Sequence, residues 1–247
     1  MRSALLAALL LGVAGSAAAQ TAHWDYEGPY GPLNWGKLDP AYSACSKGHE
    51  QSPIDIRGAR LNKGLAPIEF HYMAGAVTEL NNGRTIQVWV DPGSYIVANG
   101  VRYDLVQVSF HHPGEHAIRG KLSDMDVQLM HKSADGKIAI LDVLLNEDVG
   151  NPNATLATLW AHMPTRSGAQ QKITEMVNPA GLLPAERSYW TYQGSLSHPP
   201  CTEGAQWFVF EQELGISRDQ LRLFSGYFRI SSRPVQESHG RRIEAQE

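Results

Sequence analysis

Residues 85–145 form a train of strand-like runs separated by tight turns, and this constrains the fold more than any other feature. Thr85-Ile-Gln-Val-Trp-Val90 alternates apolar with polar positions and stops at Asp91-Pro-Gly93. Tyr95-Ile-Val97 leads into Asn99-Gly100, the pair best suited to a two-residue hairpin turn, and Val101 to Phe110 runs back from it. A second hairpin is expected from Val127 to Lys132, a turn at Asp135-Gly136, and a return over Ile138 to Leu145. Helical spacing is rarer. Asn153 to Met163 follows a possible Asn cap, and Ser217 to Phe224 opens on a good Ser cap. The pattern predicts a mostly antiparallel sheet with peripheral helices and long ordered loops.

The first nineteen residues read as a secretory signal. Arg2 gives a short basic start, Ala4 to Val13 an apolar run, and Ala17-Ala18-Ala19 a small-residue cleavage site. The run is too short for a stable membrane span. The expectation is a periplasmic or secreted protein whose residues 20–247 make one domain, with no linker, repeat or membrane span. Without Arg2 the chain has 20 basic against 25 acidic residues, a net charge of about −5, which argues against a nucleic-acid partner. Two cysteines remain, Cys45 and Cys201. In an exported chain an even pair is most simply a disulfide, with two buried thiols as the other reading. Closing such a loop is worth roughly 4–5 kcal/mol in the chain-entropy model.

Five histidines fall on or near the central strands or in a later loop: His111, His112, His116, His131 and His198. A simple count suggests zinc, but strand geometry is less generous. Side chains two apart share a face, so Ser109 and His111 look one way and His112 the other. Likewise Gln128 and Met130 share a face, with His131 opposite. If Ser109, His111, Gln128 and Met130 line one cavity, His111 is the one good zinc ligand there, because a hydroxyl and an amide hold zinc weakly. His112 and His131 could instead face each other as a metal pair, or be ordinary hydrogen-bonded strand residues. Glu115 either locks the neighbouring His116 imidazole and pins a turn, or is a buried acceptor that orients a catalytic hydroxyl. The aromatic residues Trp24, Tyr26, Tyr30 and Trp35 read as a packed cluster with no binding role. Asn153-Ala-Thr155 has the form of a glycosylation acceptor but reads as incidental.

Several longer motifs occur in a fixed order. They are His23-Trp-Asp-Tyr26, Asn34-Trp-Gly36, Gln51-Ser-Pro-Ile-Asp-Ile56, Leu80-Asn-Asn-Gly83, Gly194-Ser-Leu196, Pro199-Pro-Cys-Thr-Glu-Gly204 with Trp207, and Arg233-Pro-Val-Gln236. From about His23 to Arg241 the chain resembles the bacterial α-class carbonic anhydrases. The resemblance implies a single α+β, mostly β domain on a ten-stranded, mainly antiparallel sheet. It also implies a cone-shaped cavity with zinc on three histidines at its floor, and a disulfide between Cys45 and Cys201. In that family the zinc-bound water, with its pKa lowered to about 7, attacks CO2.

Carried over position by position, the resemblance puts Ser109, His111 and Gln128 where the family has its three zinc histidines. Gln107 and Asp126 match residues that support those ligands. Arg84 stands at the proton-shuttle histidine and cannot release a proton near neutral pH. Met130 and Ile140 stand at valines of the CO2 pocket and add bulk to it. Ser197 matches the gatekeeper threonine, with Glu115 as its partner, and His198 replaces the next threonine. The resemblance is therefore closest to the family's non-catalytic members. The implied function is a weak or inactive CO2 hydratase without stoichiometric zinc, in which Glu115 and Ser197 are vestigial. Its role would be to bind a small anion, a small molecule or a periplasmic protein. Two other readings remain at this point. One is a working zinc lyase completed by His198, by water or by weak ligation through Gln128; the other is a structural protein with no site.

Overall fold

The computed structural model describes residues 22–246 apart from 148, 150 and 151. The signal segment over residues 1–19 lies outside the described residues. Nine strands of four residues or more build the sheet: β1 (Gly75–Asn81), β2 (Ile86–Val90), β3 (Tyr95–Ala98), β4 (Val101–His111), β5 (Met125–Lys132), β6 (Ile138–Asn146), β7 (Gln170–Val177), β8 (Tyr189–Ser195) and β9 (Glu203–Phe210). Two helices of nine and ten residues accompany it, α1 (Ala154–His162) and α2 (Arg218–Tyr227).

Both hairpins form where the turn residues require them. Ala98 pairs with Val101 across Asn99 and Gly100, whose φ angles of 51° and 75° fit a type I′ turn. Lys132 pairs with Ile138 around the second turn. The helix caps also form as expected. The Asn153 side chain accepts from the Leu156 amide, and Ser217 and Gln220 make a reciprocal capping box.

The main sheet runs β7-β1-β2-β4-β5-β6-β9-β8 and continues through the short strands Glu244–Ala245 and Arg60–Leu61. That path has the ten strands the resemblance implies; three more side pairings bring the sheet to 13 strands. It is mixed rather than uniformly antiparallel, because β6 pairs with β9 in parallel. Sequence patterning did not identify β7, β8 or β9. In β9 the apolar run Trp207 to Phe210 is buried on both faces, so it carries no period-2 signal.

The sheet separates two apolar layers. One face carries Val88, Val108, Phe110, Val127, Leu129, Leu141 and Phe208, with α1 and α2 packed over this core through Leu156, Trp160 and Phe224. The other face carries a smaller cluster of Ile54, Ile140, Leu144, Tyr192, Trp207 and Val209. A third cluster joins Tyr26, Trp35 and Tyr42 to the disulfide between Cys45 and Cys201, whose sulfur atoms are 2.06 Å apart.

Candidate functional site

The pairing register puts the sequence-predicted residues into rows across the sheet. One row runs Gln87, Ser109, Gln128, Asp142 and Val209 over β2, β4, β5, β6 and β9. The next runs Gln107, Met130, Ile140 and Trp207, and the row on the other side pairs His111 with Asp126 and Leu144. Thus Ser109 and Gln128 lie directly opposite each other, with His111 one pleat away on the same face. The pairing slips between Met130 and His131, so Val106 has no partner on β5. The slip lies beyond Gln107 and leaves the rows of Ser109 and His111 aligned.

A cavity of about 240 Å³ opens over this face, with Ser109, His111, Gln107, Arg84 and His198 in its wall. Gln87, Asn82, Thr85, Trp24, Tyr26 and Pro199 complete the lining. Gln128, Met130 and Ile140 are not part of that wall, which corrects the expectation that they line it. Gln128 is drawn away by its bond to Glu115. Met130 and Ile140 pair side by side and pack into the smaller apolar layer with Trp207.

Near the N-terminus Trp24, Tyr26 and Trp35 form the expected packed cluster, each ring edge-on to the other two. Trp35 is fully buried as expected, but Trp24 and Tyr26 reach the cavity. The Trp24 ring lies parallel to His198, with centroids 5.9 Å apart, and the Arg84 guanidinium sits 4.1 Å over the Trp24 ring. Tyr30 is largely exposed. The stack is invisible to spacing because its members come from residues 24, 84 and 198. Gln87 could have been found from the alternation of its strand, since it shares a face with the row around Ser109.

The buried polar groups around His111 are tied to one another. His111 Nδ1 lies 2.7 Å from Asp126 Oδ1, and Asp126 Oδ2 accepts from the Glu115 amide at 2.7 Å. Burial disfavours a charged His111 ring, yet the Glu115 and Asp126 carboxylates outweigh it and push its pKa up to about 9. Glu115 accepts from Gln128 Nε2 at 2.8 Å and from the Arg233 amide at 2.8 Å. Ser197 is buried, but among the described residues no hydrogen bond joins its hydroxyl to Glu115. The gatekeeper pairing expected of Glu115 and Ser197 is therefore absent, because Gln128 and Arg233 already hold the carboxylate.

Nor does Glu115 lock His116. That ring is held by Asp142 Oδ2, 2.6 Å from Nδ1, and by the Tyr192 hydroxyl, 2.7 Å from Nε2. Burial drives the His116 pKa down to about 4 and pushes Asp142 well up. The Tyr192 hydroxyl in turn donates to Ser52 Oγ at 2.9 Å. Asp142 was missed in the sequence because it sits inside a strongly apolar run. His112 and His131 do not meet. His131 pairs with Leu105 across the ladder and bonds the Tyr72 hydroxyl at 2.7 Å, whereas His112 bonds the Arg229 carbonyl at 2.9 Å.

These residues do not fit a zinc ion held by three histidines. The positions around His111 supply a hydroxyl and an amide, and the amide is committed to Glu115 through its nitrogen. One other grouping, His111 with Glu115 and Asp126, brings its ligand atoms within 4.8 Å of one another. Its carboxylate oxygens already bond His111, two backbone amides and Gln128, so it reads as a satisfied polar cluster.

A family profile described as eukaryotic-type carbonic anhydrase matches residues 30–247. The chain belongs to this family. Among relatives of this α-carbonic anhydrase family member, a carbonic anhydrase of Pectobacterium carotovorum is 37% identical over 98% of this chain and 99% of its own length. A Klebsiella pneumoniae carbonic anhydrase is 38% identical over 89% of each. Of solved structures, the α-carbonic anhydrase from Thermovibrio ammonificans, in complex with the inhibitor sulfanilamide, matches at 37% identity and a TM-score of 0.87 over 92% of this chain and all of its own. Dioscorin complexed with ascorbate matches at 29% identity and 0.84 over 90% of this chain and 97% of its own. The α-carbonic anhydrase fold expected from the sequence is thus the observed one.

Proposed function

We propose that this protein is an exported member of the carbonic anhydrase family whose zinc site is degenerate. It is at best a weak CO2 hydratase, holds no zinc at stoichiometric occupancy, and acts by binding a small anion or small molecule in the cavity over His111. The observation that carries the reading is the register of β4 and β5, which sets Ser109 against Gln128 beside a single imidazole. Arg84 and His198 in the same wall supply a fixed cation and a polar ring for such a ligand. Sulfanilamide and ascorbate, the small molecules bound by two structural neighbours, are consistent in size with this class of ligand. Export to the periplasm or beyond is supported by the disulfide, which persists in oxidising compartments. Among the described residues no helix is long and apolar enough to cross a membrane.

The test is direct. Protein exposed to excess zinc and then desalted is expected to retain well under one zinc per chain by metal analysis. Loss of a group that merely orients a zinc histidine costs roughly 10–100-fold in metal affinity or activity. Replacing two of the histidines should therefore put hydration at least about 100-fold below a competent enzyme. The second reading, an active zinc carbonic anhydrase, is favoured by the names of its relatives. One tightly held zinc per chain with fast CO2 hydration at neutral pH would establish it instead.

A further inference from the structure

Four arginines converge far from β4 and β5 in sequence. Arg57 and Arg60 from the N-terminal half, with Arg241 and Arg242 from the C-terminal segment, line a cavity of about 210 Å³ that shares no residue with the one over His111. The two segments are tied together by the ladder between Arg60–Leu61 and Glu244–Ala245 and by the Arg60 amide on the Ile243 carbonyl at 2.9 Å. Arg60 lies in this ladder, and Arg57, Arg241 and Arg242 lie within three residues of its strands.

The charges at this cavity are not balanced. Arg57 pairs with Asp55, and Arg242 pairs with Glu244 at 2.6 Å. Arg60 is exposed and has no carboxylate partner among the described residues. Arg241 donates to the carbonyl oxygens of Gln51 at 2.7 Å, Ser238 at 2.9 Å, and Gln193 and Glu237 at 3.0 Å, and its guanidinium lies 5.5 Å from the centre of the Tyr192 ring. The cavity lining therefore holds four arginines and no carboxylate, with Asp55 and Glu244 pairing two of them and Glu50 and Glu203 acting on Arg241 from outside the lining, on a chain whose formal net charge is −4. Solvated surface arginines on an acidic protein would be expected to scatter among carboxylates. Here one cation is immobilised by neutral groups and another is unpaired. At the mouth, Gly58 and Gly240 hold φ angles of 62° and 72°, and a side chain at either would meet open space.

We propose that this arginine cavity is a binding site for a polyvalent phosphoryl anion, separate from the site over His111. Planar guanidinium forks suit phosphate oxygens, which can take two parallel N–H bonds from each. A dianion also gains more than a monoanion from an unbalanced cluster. The same group can arrive as free pyrophosphate or as a lipid headgroup.

The experiment is calorimetric titration of the full chain with inorganic pyrophosphate at low ionic strength. One site is expected, weakening as salt rises. Arg60→Gln and Arg242→Gln are each expected to lower affinity about tenfold, the scale of one charge-assisted hydrogen bond. Both side chains are exposed, so the fold should survive, as circular dichroism would show. Arg84→Gln, in the other cavity, is expected to leave this binding unchanged. A second arm measures sedimentation with vesicles of phosphatidate in phosphatidylcholine. Co-sedimentation that pyrophosphate displaces assigns a headgroup source, and pyrophosphate binding without co-sedimentation assigns a free anion. No pyrophosphate binding, or binding lost in Arg84→Gln but kept in Arg60→Gln and Arg242→Gln, overturns the proposal. Vesicle binding that neither pyrophosphate nor Arg60→Gln weakens overturns it as well.

Discussion

The double variant Ser109→His plus Gln128→His is expected to bind one zinc ion per chain and the parent protein far less. The two positions are directly opposed across β4 and β5, and His111 is one pleat away on the same face. Three imidazoles can therefore converge on one point, as a tetrahedral site with one open position requires. His111 is already oriented for this, since Asp126 holds its Nδ1 and its Nε2 can take a metal on losing its proton. The substitution also removes the amide that holds one Glu115 oxygen, which frees the carboxylate to take the Ser197 hydroxyl. If each restored ligand outweighs the roughly 10–100-fold of a supporting residue, affinity should rise by at least about 10². Turnover is expected to stay poor. Arg84 cannot exchange a proton near neutral pH, and Met130 and Ile140 still fill the space beside Trp207. Zinc stoichiometry by metal analysis and CO2 hydration by stopped flow separate the two effects. A folded double variant that binds no zinc would show that the face assigned to these residues is wrong.

That variant could be designed from sequence because the family resemblance puts Ser109 and Gln128 at zinc-ligand positions, while local patterning, through period-2 alternation and turn and cap residues, shows which side chains share a face. The same reasoning located both hairpins, both helix caps and the lone imidazole. It failed where information is not local. Glu115 has two possible partners in sequence, His116 and a distant hydroxyl, and it takes neither. Its carboxylate is held by Gln128 and the Arg233 amide, a choice made by packing across 13 and 118 residues. Asp142 escaped notice because a single acid within Ile138 to Leu145 looks like an interruption, yet it is the group that fixes His116. Trp24 looked like core because its neighbours Tyr26 and Trp35 are core. Its contacts with Arg84 and His198 arise only once three distant segments meet.

Glu79→Gln is expected to stabilise the protein strongly at and above neutral pH. Glu79 occupies an inward position of β1, between buried Val77 and Asn81, where alternation calls for an apolar residue. It is fully buried, and both carboxylate oxygens lack a hydrogen-bond partner. Burial pushes its pKa from 4.5 up to about 8. Here the folded-state pKa is the higher one, so the folded protein holds the proton more tightly than the unfolded chain. Below about pH 4.5 both states are protonated and there is no penalty. Between pH 4.5 and 8 the unfolded chain gains stability by ionising, and the native state loses about 1.4 kcal/mol per pH unit. Above pH 8 the loss levels off at about 5 kcal/mol, a large share of a typical domain's stability. Glutamine keeps the shape and the buried polar atoms but cannot ionise, so the variant should match the parent near pH 4 and exceed it increasingly up to pH 8. Urea unfolding of both proteins at pH 4, 6, 7 and 9 measures the difference. A gap that stays constant across that range would mean that Glu79 ionises freely in the folded protein, through water or a counter-ion reaching β1.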